Sequence, residues 1–175
     1  MASVVVDLLY GEGKVSARIP RESLISIASP RRLKAVKEPF KEIDRALDNP
    51  VESAGLEGLI KKGDRVCVIV NDTTRPTPTW LILPVLLRRL NSLGVPDEAV
   101  QVLVATGLHS KPTAQEIGRI LGADVLRRVN VVNHDAYREE DLRFYGYTSR
   151  KTPVWVNKRV SECDFLVSIG YIEPH

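Results

Sequence analysis

The segment that decides the fold is Arg65-Val66-Cys67-Val68-Ile69-Val70, an almost uninterrupted run of apolar residues. Such a run is typical of a β-strand that is buried on both faces of a sheet. A leucine-rich run over 79–93 follows and ends at Gly94, which predicts an α-helix that carries Pro84 in its early turns. A buried strand followed by a helix predicts a βα unit, from which parallel sheets are built.

The same alternation continues toward the end of the chain, and smaller β elements flank it. A second strand and helix are predicted at 100–105 and 113–121, and the helix closes at Gly122. Two further buried-type strands are predicted at 129–133 and 165–169. A more polar pair of strands that resembles an edge hairpin is predicted at 142–148 and 154–156. In the N-terminal part, the sequence predicts a hairpin formed by strands at 4–9 and 14–19. A loop with one short helix is predicted over 20–39 and a further helix over 40–47.

Together these elements predict an α/β fold: a mostly parallel, Rossmann-like sheet with helices on both faces, preceded by a small N-terminal β-hairpin. We expect a hairpin and helical lead-in over 1–60 and an α/β core over 61–175. The chain has 175 residues, of which 43% are apolar. A chain of this length buries roughly 70% of the surface that its unfolded form exposes, so it needs no disulfide.

Composition and charge exclude several classes of function. The 25 basic and 22 acidic residues are scattered and give a formal charge of +3, so no nucleic-acid-binding surface is predicted. No apolar stretch approaches the roughly 20 residues of a membrane span, and the N-terminus predicts a strand rather than a signal peptide. Cys67 and Cys163 have neither metal nor redox spacing and are expected to be buried hydrophobic residues. We therefore expect a cytoplasmic protein.

The residues with the most chemical potential follow the predicted parallel strands. The three histidines, His109, His134 and His175, each come within six residues after a buried-type strand. The loop over 71–78 follows the strand that ends at Val70. Because ligands of open α/β sheets bind outside the carboxyl ends of the strands, we expect these loops to meet at one cleft. A histidine in a loop is also commonly a surface or structural residue, and that interpretation stays open.

Arg75 is the strongest candidate for an anion-binding residue. Prolines at 76 and 78 stiffen its loop, so its side chain loses little conformational entropy when it binds a ligand. A guanidinium group binds carboxylates or phosphates through two parallel hydrogen bonds. The alternative is a structural role, in which Arg75 pairs with Asp72 or the loop caps a helix through Thr77 or Thr79.

These residues suit acid/base work on a small anion, but they do not define a reaction. Thr106-Gly107 is expected to bring the backbone close to a ligand and is a candidate contact for a phosphate or another anion. A non-catalytic module that binds an anion or a nucleotide is the main alternative. A metal-dependent hydrolase that uses the three histidines is disfavoured, because they lack the close spacing of zinc ligands.

Three loops resemble, in order and spacing, the N-terminal part of the lactate racemase family, the nickel-pincer-nucleotide enzymes. They are Asp72-Thr73-Thr74-Arg75-Pro76-Thr77-Pro78, Ala105-Thr106-Gly107-Leu108-His109 and Gly170-Tyr171-Ile172-Glu173-Pro174-His175. The stretch Asn157-Lys158 also looks like the family, although no chemistry is assigned to it, and His134 is expected to be structural or to line the cleft.

The resemblance implies a racemase or epimerase of 2-hydroxy acids that works by hydride transfer. The acceptor of the hydride in this family is a nickel-pincer nucleotide, pyridinium-3,5-bisthiocarboxylic acid mononucleotide nickel. The resemblance implies that His109 and His175 are the two acid/base residues and that Arg75 binds the substrate carboxylate. It makes Asp72, like Thr106 and Gly107, a candidate cofactor contact, or a residue that supports one.

The sequence also departs from the family. The family continues beyond the position of His175 with a Gly-Phe-Ser-Gly-Gly-Arg-Lys segment that holds the nucleotide, a nickel-binding histidine and a second domain. None of these is present in this sequence. We therefore expect an N-terminal domain that contains no metal ligands, holds no cofactor alone and is inactive alone. Its expected partners are a small 2-hydroxy acid and either the missing C-terminal domain or a second copy of the chain.

Overall fold

The computed structural model describes residues 2–29, 31 and 33–173, and the chain forms two compact units, Met1–Ala35 and Val36–His175. The first unit is the predicted hairpin. Its strands, β1 (Ser3–Tyr10) and β2 (Gly13–Pro20), pair antiparallel from Ser3 opposite Pro20 to Tyr10 opposite Gly13. A single 3₁₀ turn, Arg21–Ser23, follows β2.

The second unit contains the α/β core. Its helices are α1 (Pro39–Asp48), α2 (Leu56–Leu59), α3 (Thr79–Ser92), α4 (Ala114–Leu121) and α5 (Ala123–Leu126). Its strands are β3 (Val66–Asn71), β4 (Val100–Ala105), β5 (Asn130–Asn133), β6 (Leu142–Tyr147), β7 (Pro153–Asn157) and β8 (Phe165–Ile169). Short 3₁₀ segments precede β4, β6 and β8, at Asp97–Ala99, Glu139–Asp141 and Lys158–Glu162.

Four strands form a parallel sheet in the order β5-β4-β3-β8, flanked by helices, which confirms the predicted fold class. Alternate residues of β3 and β4 point to one face, where they pack against the leucines of α3. The fully buried members of this core include Val66, Val68, Val70, Val100, Val102, Val104, Leu83, Leu87 and Leu90. Burial of this much apolar surface is the main term that stabilises the sheet and fixes the positions of the loops at its edge.

Local sequence signals explain where α4 begins and ends. The hydroxyl of Thr113 accepts a hydrogen bond from the backbone N–H of Glu116, and the Glu116 carboxylate accepts one from the Thr113 N–H at 2.7 Å. This reciprocal pair satisfies two N–H groups that the first turn of a helix leaves without partners. Gly122, with φ of +82°, ends the helix in a conformation that favours glycine.

The structure differs from the sequence-based interpretation at three places. Among the residues that the structure describes, the strands β6 and β7 pair with each other alone and form a separate antiparallel sheet, whereas an edge hairpin was predicted. A bulge between Phe144 and Gly146 adds local twist, which works against their joining the flat edge of a larger sheet. Helix α1 was expected in a lead-in over 1–60 that precedes the core. It belongs instead to the same compact unit as the core, where its Asp44 accepts hydrogen bonds from Arg88 of α3 at 2.7 and 2.9 Å. Cys67 is buried, whereas Cys163 is only partly buried.

In the described part of the chain, no helix is long and apolar enough to cross a membrane.

Replacing Leu87 by alanine tests the identified core. The Leu87 side chain is fully buried, so its truncation leaves a cavity as well as removing apolar contacts. We expect the free energy of unfolding, measured by urea denaturation, to fall by about 2–5 kcal/mol. The matched control is Leu59→Ala, which removes the same atoms from a side chain that is 44% exposed and is expected to cost much less. Equal losses in the two variants would contradict this placement of the core.

Candidate functional site

The candidate site lies at the edge of the parallel sheet formed by the carboxyl ends of β3, β4, β5 and β8, hereafter the carboxyl edge. Because these four strands are parallel, the loops that follow them all leave from this edge. Two contacts join the loops after β4 and β5. The hydroxyl of Thr106 donates to the backbone carbonyl of His134 at 2.7 Å, and Lys111 forms an ion pair with Asp135 at 2.8 Å.

The central contact of the site joins the loop after β3 to the loop after β4. Oδ2 of Asp72 lies 2.6 Å from Nδ1 of His109, although the two residues are 37 positions apart in the sequence. The other carboxylate oxygen of Asp72, Oδ1, accepts hydrogen bonds from the backbone N–H of Thr74 at 3.0 Å and from its hydroxyl at 2.5 Å. Only 6% of Asp72 is exposed. Both carboxylate oxygens are therefore engaged within the protein.

These contacts keep Asp72 ionised. Burial acts to raise the pKa of Asp72, but the hydrogen bonds from the Thr74 hydroxyl, His109 and the Thr74 N–H together outweigh it. The pKa of this carboxyl consequently lies below its ordinary value. An ionised carboxylate only accepts hydrogen bonds, so Nδ1 of His109 must carry a proton. In the neutral ring the lone pair is then on Nε2, which is the nitrogen free to accept a proton.

A tight turn presents His109 at the carboxyl edge. The backbone N–H of His109 donates to the carbonyl of Thr106 at 3.0 Å, which closes a four-residue turn. Gly107 occupies the second position of this turn with φ of +57°, a value that glycine adopts without the steric penalty other residues incur. Thr106 is 1% exposed, and its hydroxyl is used in the bond to His134. The proposed cofactor contacts of Thr106 and Gly107 remain predictions.

Arg75 forms an ion pair that was not predicted from the sequence. Its Nε lies 3.2 Å from Oε1 of Glu173, which belongs to the segment after β8. Its Nη1 lies 3.3 Å from the backbone carbonyl of Thr74 and 3.4 Å from the Thr74 hydroxyl. The acidic partner of Arg75 is therefore Glu173, whereas Asp72 pairs with His109. His175, the second predicted acid/base residue, lies outside the described residues.

Arg75 also lines a hollow of about 410 Å³ between its own loop, the start of α3 and helix α4. A second guanidinium, from Arg119, and the half-exposed indole of Trp80 line the same hollow. The hydroxyl of Thr77, another lining residue, donates to Oδ1 of Asn71 at 2.8 Å and so ties the two ends of the loop together. The guanidinium of Arg75 is thus held by a short, braced loop that borders open space.

A second histidine, His134, is held in an arrangement that was not predicted from the sequence. Asn157 is 5% exposed, and its Oδ1 accepts a hydrogen bond from the backbone N–H of Arg159 at 3.1 Å. Its Nδ2 therefore faces Nδ1 of His134, at 3.2 Å. Because an amide nitrogen only donates, Nδ1 of His134 is an acceptor and the ring proton of neutral His134 lies on Nε2. His134 and His109 are thus held in opposite tautomers.

No sequence signal pairs Asn157 with His134, because the contact joins the end of β7 to the loop after β5, 23 residues away. The neighbouring Lys158 has a structural role, which its contacts show. Its Nζ donates to the backbone carbonyl of Glu140 at 2.9 Å and lies 3.3 Å from the carboxylate of Asp141. These two bonds anchor the 3₁₀ segment that leads into β8.

Comparison with known proteins identifies relatives of this chain. The family model for the lactate racemase N-terminal domain matches residues 10–175. Over 98% of its length the chain is 33% identical to a lactate racemase of Lactiplantibacillus plantarum, of which it covers 41%. It is 30% identical to a lactate racemase of Thermoanaerobacterium thermosaccharolyticum, with 97% of this chain and 40% of the relative covered.

Two solved structures resemble this chain. The structure of the lactate racemase apoprotein from T. thermosaccharolyticum matches with a TM-score of 0.82 and 29% identity, covering 98% of this chain and 40% of that one. A Thermotoga maritima protein matches with a TM-score of 0.54 and 23% identity over 74% of this chain and 32% of that one, a likeness of fold only. The chain spans about 40% of the length of the curated relatives it matches. The resemblance drawn from the three loops is thereby confirmed, and the chain belongs to the lactate racemase N-terminal domain family.

Proposed function

We propose that this chain supplies the acid/base and carboxylate-binding residues of a racemase or epimerase that acts on small 2-hydroxy acids, lactate among them. The observation that carries the proposal is the contact between the buried carboxylate of Asp72 and His109. Asp72 lies three positions before Arg75 on the loop after β3. A 2-hydroxy acid offers one hydroxyl proton and one carboxylate, so its binding calls for a base in a fixed tautomer and an anion-binding guanidinium, and both follow strands that end at the carboxyl edge. Membership of the racemase family supports the same reaction class.

His109 has the proton-transfer role in this proposal. Oxidation of a 2-hydroxy acid to the 2-oxo acid releases the hydroxyl proton, and reduction returns it. Nε2 of His109 takes up this proton and gives it back, while Asp72 stabilises the imidazolium that forms between the two events. The two enantiomers present the hydroxyl on opposite sides, so a racemase needs a second base, and we assign that role to His175.

Arg75 has the positioning role. A guanidinium binds a carboxylate in one plane through two hydrogen bonds, which fixes the orientation of the α-carbon. The stiff loop holds Arg75 near its bound geometry, so less conformational entropy is lost when the substrate binds. Asp72, whose oxygens are both engaged by Thr74 and His109, is better placed to support His109 than to contact a cofactor.

For the hydride acceptor we propose the nickel-pincer nucleotide of the family. Among the residues that the structure describes, no three His, Cys, Asp or Glu side chains cluster to hold a metal ion. The sequence also has no Gly-Phe-Ser-Gly-Gly-Arg-Lys segment. These residues therefore do not fit the nickel centre by themselves, and we assign this chain no step that involves it. We propose that the catalytic unit is completed by a C-terminal domain, or through association with a second copy, and that the chain alone is inactive.

We further propose a cytoplasmic location, which the free thiols of Cys67 and Cys163 support, because thiols persist in a reducing compartment.

Replacing Arg75 by lysine in the full-length protein tests the carboxylate-binding role. Lysine keeps the positive charge but lacks the two-pronged geometry of arginine. We expect the KM for lactate to rise about 10-fold, corresponding to the loss of about one charge-assisted hydrogen bond. The conversion of one enantiomer into the other, followed by chiral chromatography, gives the rates.

The matched control is Arg127→Lys, which makes the same change on an exposed arginine that forms a local ion pair with Asp124. Racemisation of a 2-hydroxy acid by the wild type, with a raised KM in Arg75→Lys alone, supports the proposal. A wild-type protein that racemises no 2-hydroxy acid but binds phosphate or nucleotides tightly is instead a non-catalytic binding module.

A further inference from the structure

The ion pair between Arg75 and Glu173 places a carboxylate of this chain on the guanidinium that we assign to the substrate. Nε of Arg75 and Oε1 of Glu173 are 3.2 Å apart, and about one third of each side chain is exposed. Glu173 comes from the segment after β8, and Arg75 from the loop after β3. The contact therefore links the loops that follow two adjacent parallel strands.

The geometry of the guanidinium shows which of its edges a substrate would use. A carboxylate that binds through two hydrogen bonds needs two adjacent nitrogens of arginine, either Nη1 with Nη2 or Nε with Nη2. Nη1 faces the carbonyl and the hydroxyl of Thr74. The Nε and Nη2 edge is therefore the edge left for an incoming carboxylate, and the carboxylate of Glu173 already lies against Nε there.

We propose that Glu173 is an internal competitor of the substrate: its carboxylate occupies the binding edge of Arg75 until the carboxylate of a 2-hydroxy acid displaces it. The inference rests on the proposed function, because it needs Arg75 to bind the substrate. A partly exposed ion pair is weak, so a ligand held by two hydrogen bonds and by further contacts displaces it readily. Displacement breaks the contact between the loop after β3 and the segment after β8.

If Glu173 had a structural role instead, its removal would have the opposite effect on the affinity for the substrate. If Glu173 oriented Arg75 for the substrate, its removal would weaken the binding of the substrate. Thr74 already contacts Nη1, and the two prolines already restrain the backbone, so the orientation of Arg75 does not depend on Glu173. Removing the Glu173 charge therefore takes away a competitor and leaves the binding edge in place.

The test is Glu173→Gln in the full-length protein, with lactate as the substrate. We expect the KM for lactate to fall about two- to five-fold with kcat unchanged, which is the range of a partly exposed ion pair. Glu173→Asp keeps the charge on a shorter side chain, so its KM for lactate is expected to lie between that of the wild type and that of Glu173→Gln. The control for net charge is Glu139→Gln, an exposed residue near the end of the loop after β5, and it is expected to leave the KM unchanged.

The outcomes separate this inference from the proposed function. A KM that is unchanged or raised in Glu173→Gln overturns the inference, whereas the assignment of Arg75 is judged by Arg75→Lys. In the double variant Arg75→Lys/Glu173→Gln, the KM for lactate is expected to equal that of Arg75→Lys, because Glu173 acts through Arg75. If the wild type shows no racemisation, the proposed function fails, and the same variants are compared for lactate binding by NMR titration. Tighter binding in Glu173→Gln then still supports the competition, and equal binding overturns it.

Discussion

Replacing His109 by glutamine in the full-length protein is expected to slow racemisation of lactate by about 10²- to 10⁴-fold, the usual contribution of a general acid/base. Glutamine retains a polar side chain of similar reach but cannot take up the hydroxyl proton at neutral pH. The KM is expected to change little, because the proposal assigns binding of the carboxylate to Arg75 rather than to His109. Chiral chromatography of both reaction directions gives the rates.

The neighbouring residue supplies a control for His109→Gln. Leu108 lies in the same turn and is 73% exposed, so Leu108→Ala changes the turn without removing a titratable group. We expect this variant to keep its rate within a few-fold of the wild type. A His109→Gln protein that retains the wild-type rate at every pH would remove His109 from the mechanism, whatever the position of its ring. Urea denaturation of both variants shows whether the fold is kept.

The architecture of the core was predictable because burial leaves a strong trace in sequence. A strand covered on both faces has to be apolar throughout, and the run that ends at Val70 meets this condition. The end of α4 was equally visible, because Gly122 supplies a backbone conformation that other residues avoid. Such signals are local, so a single stretch of sequence contains them.

The contacts of the site were only partly predictable, because they join residues that are distant in the sequence. Parallel strand direction placed the loops of Asp72 and His109 at one edge, but not Nδ1 of His109 against a particular oxygen of Asp72. The partner of Arg75 was also hidden, because Glu173 follows the last strand and nothing in its local sequence pairs it with Arg75. Pairings of this kind depend on the order of strands in the sheet and on side-chain rotamers.

Replacing Asp72 by asparagine is expected to abolish most of the activity while preserving the shape of the site. The backbone N–H and hydroxyl of Thr74 both donate to Oδ1 of Asp72, so an asparagine keeps its carbonyl oxygen there. Its amide nitrogen then faces Nδ1 of His109 and only donates. Nδ1 becomes the acceptor, the ring proton moves to Nε2, and the proposed base is lost. We expect a rate loss of about 10²- to 10⁴-fold, close to that of His109→Gln.

The same substitution is expected to change how stability depends on pH. The pKa of Asp72 is lowered in the folded protein, so its ionised form stabilises the fold above the pKa of the unfolded chain, about 3.9. This contribution is lost as the pH falls through the lower, folded pKa. The free energy of unfolding of Asp72→Asn, measured by urea denaturation between pH 6 and pH 2, is therefore expected to fall less steeply in acid than that of the wild type. Parallel curves would show that Asp72 is not held ionised by its neighbours.

The protein contains its own reference for the tautomer that Asp72→Asn creates. Asn157 holds His134 with the proton on Nε2, by the same amide-to-Nδ1 contact that the variant would form with His109. In the wild type, the ring ¹⁵N resonances of neutral His109 and His134 are expected to show opposite tautomers. In Asp72→Asn, both are expected to show the Nε2–H form. If His109 kept its Nδ1 proton in the variant while activity was lost, Asp72 would act through its charge rather than by selecting the tautomer of His109.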